Sequence, residues 1–376
     1  MHAGNPLGPF ASPDDLSRGR VYPEEEHPYR TKYQRDRDRI IHSKAFRRLE
    51  YKTQVFVNHE DGNYRTRLTH TLEVMQIART ISRALGLNED LTEAIALGHD
   101  IGHPPFGHTG EATMNRLTQD CGGFEHNLQG LRIVDELEEL YGKFPGLNLT
   151  YEVREGILKY KPNRNVEIPE MFRGNAAPTL EAQVVDMADE IAYSSHDIDD
   201  GLASGLIGLQ GLVEVPLARD CVGEIEKEMG PDVALPILIK AFVRKLINNL
   251  VSDVIVHTAE RLNAEHIENP EAARSKTFYL VGLSVEMAPK NKALNAFLMN
   301  NLYRHPKVLR MGKKAARVLE SLFSAYQESP QLLPIEVQQK MKSQSDTRKI
   351  ADYIASMTDR FVLEEYAKLF DPFEKF

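Results

Sequence analysis

Residues Thr66–Gly86 read TRLTHTLEVMQIARTISRALG. Leu68, Leu72, Met75, Ile81 and Leu85 fall on three- and four-residue steps, the period of one helical face, and Gly86 supplies a C-terminal stop. A shorter helical pattern from about Asp90 to Gly98 follows within a few residues, so the two helices should pack as an antiparallel pair. Ile101-Gly-His-Pro-Pro-Phe-Gly107 must then be a loop, because two prolines and two glycines cannot continue a helix. Working outward, helical periodicity returns near 111–119, 126–141 and 180–200, and Pro231 to about Leu262 reads as one long helix. The stretches 290–303, 308–327 and 346–369 are likewise amphipathic. Strand signals are scarce, with Gln54 to Val57 a hairpin piece at most. The expected fold class is all-α.

The chain has 376 residues, enough for a sizeable core without staples. Its 46 Lys and Arg against 55 Asp and Glu give a net charge of −9, which excludes a globally basic nucleic-acid binder. Two cysteines only, Cys121 and Cys221, exclude a disulfide scaffold and a CxxC metal site and suit a reducing cytosol. No apolar run approaches the roughly 18 residues of a membrane span, and no signal-peptide core is present at the N-terminus. These features lead us to expect a cytoplasmic protein without a membrane partner.

Residues 1–29, rich in Pro and Gly with a Glu24-Glu25-Glu26 run, read as an irregular arm, draped on the body or disordered. Residues 30–48 carry Arg30, Lys32, Arg35, Arg37, Arg39, Lys44, Arg47 and Arg48 against Asp36 and Asp38. That segment is either a solvated helix laced with ion pairs or a face for phosphate or single-stranded nucleic acid. We place the main domain over 30–215 and a helical C-terminal region over 216–376.

Three features carry chemistry. His99-Asp100 ends one helix and His70 sits on its neighbour; imidazole and carboxylate together suit a divalent metal that takes N and O donors. An Asp enclosed by Leu97-Gly98 and Ile101-Gly102 also needs a partner, because an unpaired buried carboxylate is costly. In the second, on the 180–200 helix, Val184, Met187, Ile191 and Ile198 define an apolar face. Asp189, Tyr193, His196 and Asp200 lie opposite, with Asp186 and Asp197 at the edge. A solvent-exposed acidic face is one reading. The absence of Lys and Arg from 180–200 favours a cation above it instead, with Asp189 as a candidate fourth ligand. The third is the loop itself, where His108 and Glu111 project from its end and from the next helix. They form either an imidazole–carboxylate acid–base pair or a capping carboxylate beside an ordinary His.

The pattern His70, His99-Asp100, Asp189 resembles the signature of the HD phosphohydrolase superfamily, an all-α bundle around a metal. Longer strings resemble its deoxynucleoside triphosphate triphosphohydrolase branch, and more closely the bacterial deoxyguanosinetriphosphate triphosphohydrolase-like members. They are Phe46-Arg-Arg-Leu-Glu-Tyr-Lys-Thr-Gln-Val55, Tyr64-Arg-Thr-Arg-Leu-Thr-His-Thr-Leu-Glu-Val74, Gly98-His-Asp-Ile-Gly-His-Pro-Pro-Phe-Gly-His-Thr-Gly-Glu-Ala112 and Ala188-Asp-Glu-Ile-Ala-Tyr193. The resemblance covers residues 30–205 and extends more loosely through Asn301-Leu-Tyr-Arg-His-Pro306 to Tyr326.

What the resemblance implies is hydrolysis of a dNTP to deoxynucleoside and triphosphate. His70, His99, Asp100 and Asp189 would hold one divalent ion, whether Mn, Mg, Ni, Co, Fe or Zn. His108 and Glu111 would be catalytic, and Arg67 would hold the α-phosphate. Gln54, Tyr193 and Asp197 would contact the sugar, and His126, Asn127 and Gln129 would line the substrate pocket. At His103 some members carry Asn, and that position receives no role. The family also implies a homo-oligomer, a hexamer by analogy, with a second dNTP at a subunit interface. Two further readings stay open: another HD nucleotide phosphohydrolase such as a phosphomonoesterase, and a weakly active nucleotide- or nucleic-acid-binding regulator.

Overall fold

The computed structural model describes residues 6–54, 65–159, 168–341 and 346–374. Among them the secondary structure is helical, with isolated bridges such as Thr53 to Thr66 in place of any sheet, so the all-α expectation holds. Of the hairpin piece expected at 54–57, only Gln54 lies within the described residues.

The Arg67–Leu85 helix ends at Gly86, whose φ of +70° is the left-handed stop the sequence promised. Its buried stripe, however, runs through His70, Val74, Ile77, Ile81 and Leu85. Leu72, expected on the apolar face, is 43% exposed. The face is rotated to bury His70, whose imidazole meets the half-buried Asp189, a pairing that aliphatic spacing does not encode. The Glu89–Gly98 helix packs back as expected, with Ser82 and Thr92 hydroxyls 2.7 Å apart and Arg83 on Glu89.

The chain forms two compact units. In the first (1–40, 70–97, 148–305), the 24-residue Leu180–Ala203 helix is the axis. Thr179 caps it, its side chain accepting from the Ala182 N–H. The Leu235–Ala264, Tyr151–Leu158 and Met287–Leu298 helices pack against it. From Ile191 onward nearly all of this helix is buried, including His196, Asp197, Asp199 and Asp200. The solvated acidic face is therefore overturned. Cations and donors from other segments satisfy it: Lys240 bonds Asp199 at 2.9 Å, Lys159 bonds Asp189 at 2.5 Å, and the Tyr303 hydroxyl bonds Asp197.

The N-terminal arm is draped on this unit. Ser12 N–H donates to Glu181 Oε1 (2.9 Å), and Arg20 is ion-paired with the buried Asp36. The arm's acidic run also settles the basic segment within the unit: Glu24 accepts from Arg39 (2.8 Å) and Arg35, Glu26 pairs with Lys32, and Asp38 pairs with Arg30 and Arg37. Residues 30–40 are thus the ion-paired helix of the two readings.

The second unit (41–69, 98–147, 306–376) is organised on the Pro306–Glu328 helix, which packs on Gly107–Leu117, Thr347–Ala355 and Asp359–Phe370. Met114, Leu319, Leu322, Phe323, Ile350 and Ile354 build its core. The single helix expected over 346–369 is two, because Thr358 starts afresh as an N-cap by accepting from the Phe361 N–H. The pattern at 126–141 stops earlier than expected, at a π turn over Ile133–Leu137.

Candidate active site

In the first unit, His70 Nε2 lies 3.0 Å from Asp189 Oδ1, and the other Asp189 oxygen accepts from Lys159. An imidazole nitrogen and a carboxylate oxygen this close form a donor pair suited to a divalent ion of mixed N/O preference. Two turns further along the same helix, the Asp197 carboxylate is buried against the Tyr303 hydroxyl, and the Tyr193 and Tyr303 rings lie 6.0 Å apart. Burial, and then the adjacent Asp197 charge, push the Tyr303 phenol far above its ordinary range, so it stays a donor.

In the second unit, His99 and Asp100 emerge where the Glu89–Gly98 helix breaks at the glycine-rich loop. Asp100 is buried, with Oδ2 2.7 Å from Arg67 Nη1 and Oδ1 2.9 Å from His103 Nδ1 and 3.6 Å from His99 Nε2. Burial opposes charge on Asp100, yet the Arg67 guanidinium, His103 and His99 together hold its carboxyl well below the usual range. Burial and Arg67 push His103 well below an ordinary imidazole, so it is neutral. His99 and Asp100 thus offer the same donor chemistry as His70 and Asp189, nitrogen and oxygen donors of the kind a divalent cation takes.

The loop's glycines are required by close approach. A Cβ on Gly102 would collide with the backbone of His126 and Gly130. Gly107, at φ +56°, would place a Cβ 3.1 Å from Gln54 O and 3.2 Å from Arg67 Nη2. Phe106 adopts φ +63° without being glycine, a strain of order 1 kcal/mol, and its N–H is anchored on Asp359 Oδ1 at 3.0 Å. The other Asp359 oxygen accepts from Thr53 N–H at 2.9 Å.

Beyond the loop, the Gly107–Leu117 helix carries His108 on its first turn and Glu111 just after it. Glu111 accepts from the backbone N–H of His126 (2.9 Å) and meets its Nδ1 at 2.7 Å, while His108 Nδ1 stands 3.9 Å away. Glu111 thus serves the N-terminus of the neighbouring His126–Arg132 helix rather than its own, and it lies closer to the His126 imidazole than to that of His108. Burial would raise the Glu111 carboxyl; the neighbouring His108 and His126 hold it far below the usual range instead. The His126 ring stacks on His103 at 3.8 Å and 29°. His103, Glu111 and His126 have ligand atoms within 4.8 Å of one another. A chain of contacts thus runs from Asp100 through His103, His126 and Glu111 to His108.

Among the substrate-lining candidates, Gln54 Oε1, Arg67 Nε, Asn127 Oδ1 and Gln129 Oε1 are all buried without a hydrogen-bond partner among the described residues. Gln129 Nε2 is meanwhile held by Asp352 at 3.1 Å. Native interiors leave few such atoms, and a group of them calls for a ligand or water.

Lys52, Asp359, His103 and Lys159 were missed from sequence. Lys52 lay inside a quoted motif without a role; Asp359 is some 250 residues from the loop it anchors and gave no local signal. The Lys52 amine donates to His103 O (2.6 Å) and Ala355 O (2.9 Å). Burial, only partly offset by Asp359, pushes it down to about 7. Two carbonyl acceptors match the two N–H bonds of a neutral amine. Between pH 7 and about 10.4 the unfolded chain then binds the extra proton, so this group makes stability rise with pH. Denaturant titrations at pH 8, 9 and 10 should show the native protein gaining about 1 kcal/mol per unit over Lys52→Met. Parallel pH profiles for the two proteins would refute the neutral amine.

The HD domain family model matches residues 67–194, and the phosphohydrolase-associated domain matches 281–368. Fold and site define a helical HD-domain phosphohydrolase. The chain is 50% identical over 376 residues to the deoxyguanosinetriphosphate triphosphohydrolase-like protein of Geobacter sulfurreducens, covering 98% of this chain and 96% of that one. It is 49% identical to the protein of that name from Nitrosomonas europaea (97% and 98% covered) and 47% identical to the one from Bordetella pertussis (98% and 97%). The chain belongs to the deoxyguanosinetriphosphate triphosphohydrolase-like family. Among the described residues no helix is long and apolar enough to cross a membrane.

Proposed function

We propose that this protein hydrolyses deoxynucleoside triphosphates to deoxynucleoside and triphosphate, using one divalent ion held by His70, His99, Asp100 and Asp189. When bound, the ion lowers the pKa of a water ligand and polarises the α-phosphate. The observation that carries the substrate reading is the group of unsatisfied buried atoms on Gln54, Arg67, Asn127 and Gln129. An anionic phosphate satisfies Arg67 Nε, and hydroxyl and amino donors of a nucleoside satisfy the three amide oxygens. Water attacks the α-phosphorus and releases a proton to solvent, the bond to the 5′-oxygen breaks, and His108 supplies the proton that oxygen takes up. Glu111 and His126 hold that acid in place. Arg67 stabilises the charge gathering on the α-phosphate.

Steady-state turnover of the purified protein with each dNTP and with Mn, Mg, Co and Ni tests this reading. Triphosphate as the inorganic product supports it. Release of orthophosphate from nucleoside monophosphates would favour the phosphomonoesterase reading, and tight nucleotide binding without turnover the regulator. The family reading also carries a homo-oligomer, hexameric by analogy, with a second dNTP at a subunit interface; light scattering with and without dNTP measures the assembly. It also carries a cytoplasmic location.

The sugar reading is tested separately. Tyr193 over C2′ leaves no room for a 2′-hydroxyl, and Asp197, oriented by Tyr303, accepts from the 3′-hydroxyl. Tyr193→Ala should lower the dGTP to GTP ratio of kcat/KM by about 10-fold or more, the scale of one lost steric or hydrogen-bonding discrimination. An unchanged ratio would make Tyr193 a packing residue only.

A further inference from the structure

A second contact joins the same two helices that carry His70 and Asp189. Glu73 is three residues beyond His70, and His196 is seven beyond Asp189. Steps of three and seven return to nearly the same helical face, so the pair stands beside the ligand pair on each helix. His196 Nε2 meets the Glu73 carboxylate, and the His196 ring lies edge-on to the His70 ring at 5.3 Å and 84°. The two contacts are reciprocal. One runs from an imidazole on the Arg67–Leu85 helix to a carboxylate on the Leu180–Ala203 helix; the other runs from a carboxylate on the first to an imidazole on the second.

His196 is 2% exposed, so placing an imidazole there needs a polar partner, and Glu73 provides it. The contact fixes the rotation of both helices about their axes where His70 Nε2 and Asp189 Oδ1 must converge. The edge-on ring also limits the plane that the His70 imidazole can take.

We propose that Glu73 and His196 are positioning residues for the metal ligands His70 and Asp189. The inference rests on the metal reading above and extends it to the layer that orients the donors. Groups behind metal ligands typically change affinity by about 10- to 100-fold when removed.

The test uses full-length protein stripped of metal and titrated with Mn²⁺ by calorimetry. Glu73→Ala and His196→Phe should each weaken Mn²⁺ binding by about 10- to 100-fold. Glu73→Gln keeps an acceptor for the His196 N–H and should stay within about threefold of wild type. The thermal midpoint of the metal-free protein should fall in Glu73→Ala, because the buried His196 loses its acceptor, and stay at the wild-type value in Glu73→Gln. Turnover by Glu73→Ala should fall at limiting Mn²⁺ and recover at saturating Mn²⁺, which loss of a proton-transfer group would not allow.

Wild-type Mn²⁺ affinity in both Glu73→Ala and His196→Phe would overturn the proposal. So would weaker binding with no recovery of turnover at high Mn²⁺, because that describes a purely structural contact. Failure of the wild-type protein to bind Mn²⁺, Co²⁺ or Ni²⁺ at all would instead remove the metal reading beneath it.

Discussion

Asp100→Ala should purify without its divalent ion and with turnover lowered by at least about 10³-fold, the scale of several kcal/mol of metal-derived stabilisation. Asp100 is the most constrained carboxylate of the site, held between Arg67, His103 and His99. Its removal therefore acts twice. The donor set loses an oxygen, and Arg67, only 2% exposed, keeps a guanidinium whose counter-charge is gone. Breaking a buried pair from one side costs about 3–5 kcal/mol of stability, so lost activity in this variant alone would be ambiguous. Asp100→Asn separates the effects, because it keeps the shape and an acceptor for Arg67 while removing the anionic ligand. Both variants should lose metal by elemental analysis, and Asp100→Asn should unfold at a higher temperature than Asp100→Ala. Undiminished metal in Asp100→Ala would overturn the ligand assignment.

His108→Ala should keep metal content and melting temperature while turnover falls by about 10²–10⁴-fold, the usual contribution of a positioned acid or base. The His108 side chain is 64% exposed, so truncating it removes little packing, and surface changes of that kind generally stay within about 0.5 kcal/mol. A residue this exposed that is needed for turnover has its role in the reaction. Glu111 is the contrast: it satisfies a helix N-terminus and anchors the His126 ring, so Glu111→Ala should lose turnover and also about 1 kcal/mol of stability. Wild-type kcat in His108→Ala would move the acid–base role to another group, with His126 next on the chain of contacts.

The sequence alone determined the helical class, the break at the glycine-rich loop and the donors on either side of it. These are local facts. Periodicity, a left-handed Gly86 and prolines that cannot extend a helix act within a few residues of chain. So does the choice of residue types in His99-Asp100 and in His108 with Glu111. Tertiary structure decided the rest, because partners far apart in sequence set burial and charge pairing. The Leu180–Ala203 polar face read as either solvated or covered by a cation, and only the fold shows Lys159, Lys240, Tyr303 and Glu73 meeting it. The basic segment looked available to a polyanion until Glu24 and Asp38 neutralised its 30–40 portion. Asp359 holds the strained Phe106 from the far end of the chain. The Arg67–Leu85 stripe turned to bury His70, whose imidazole meets the half-buried Asp189 of another helix. Most polar side chains enter a core where a partner meets them. The position of that partner is a property of the assembled fold.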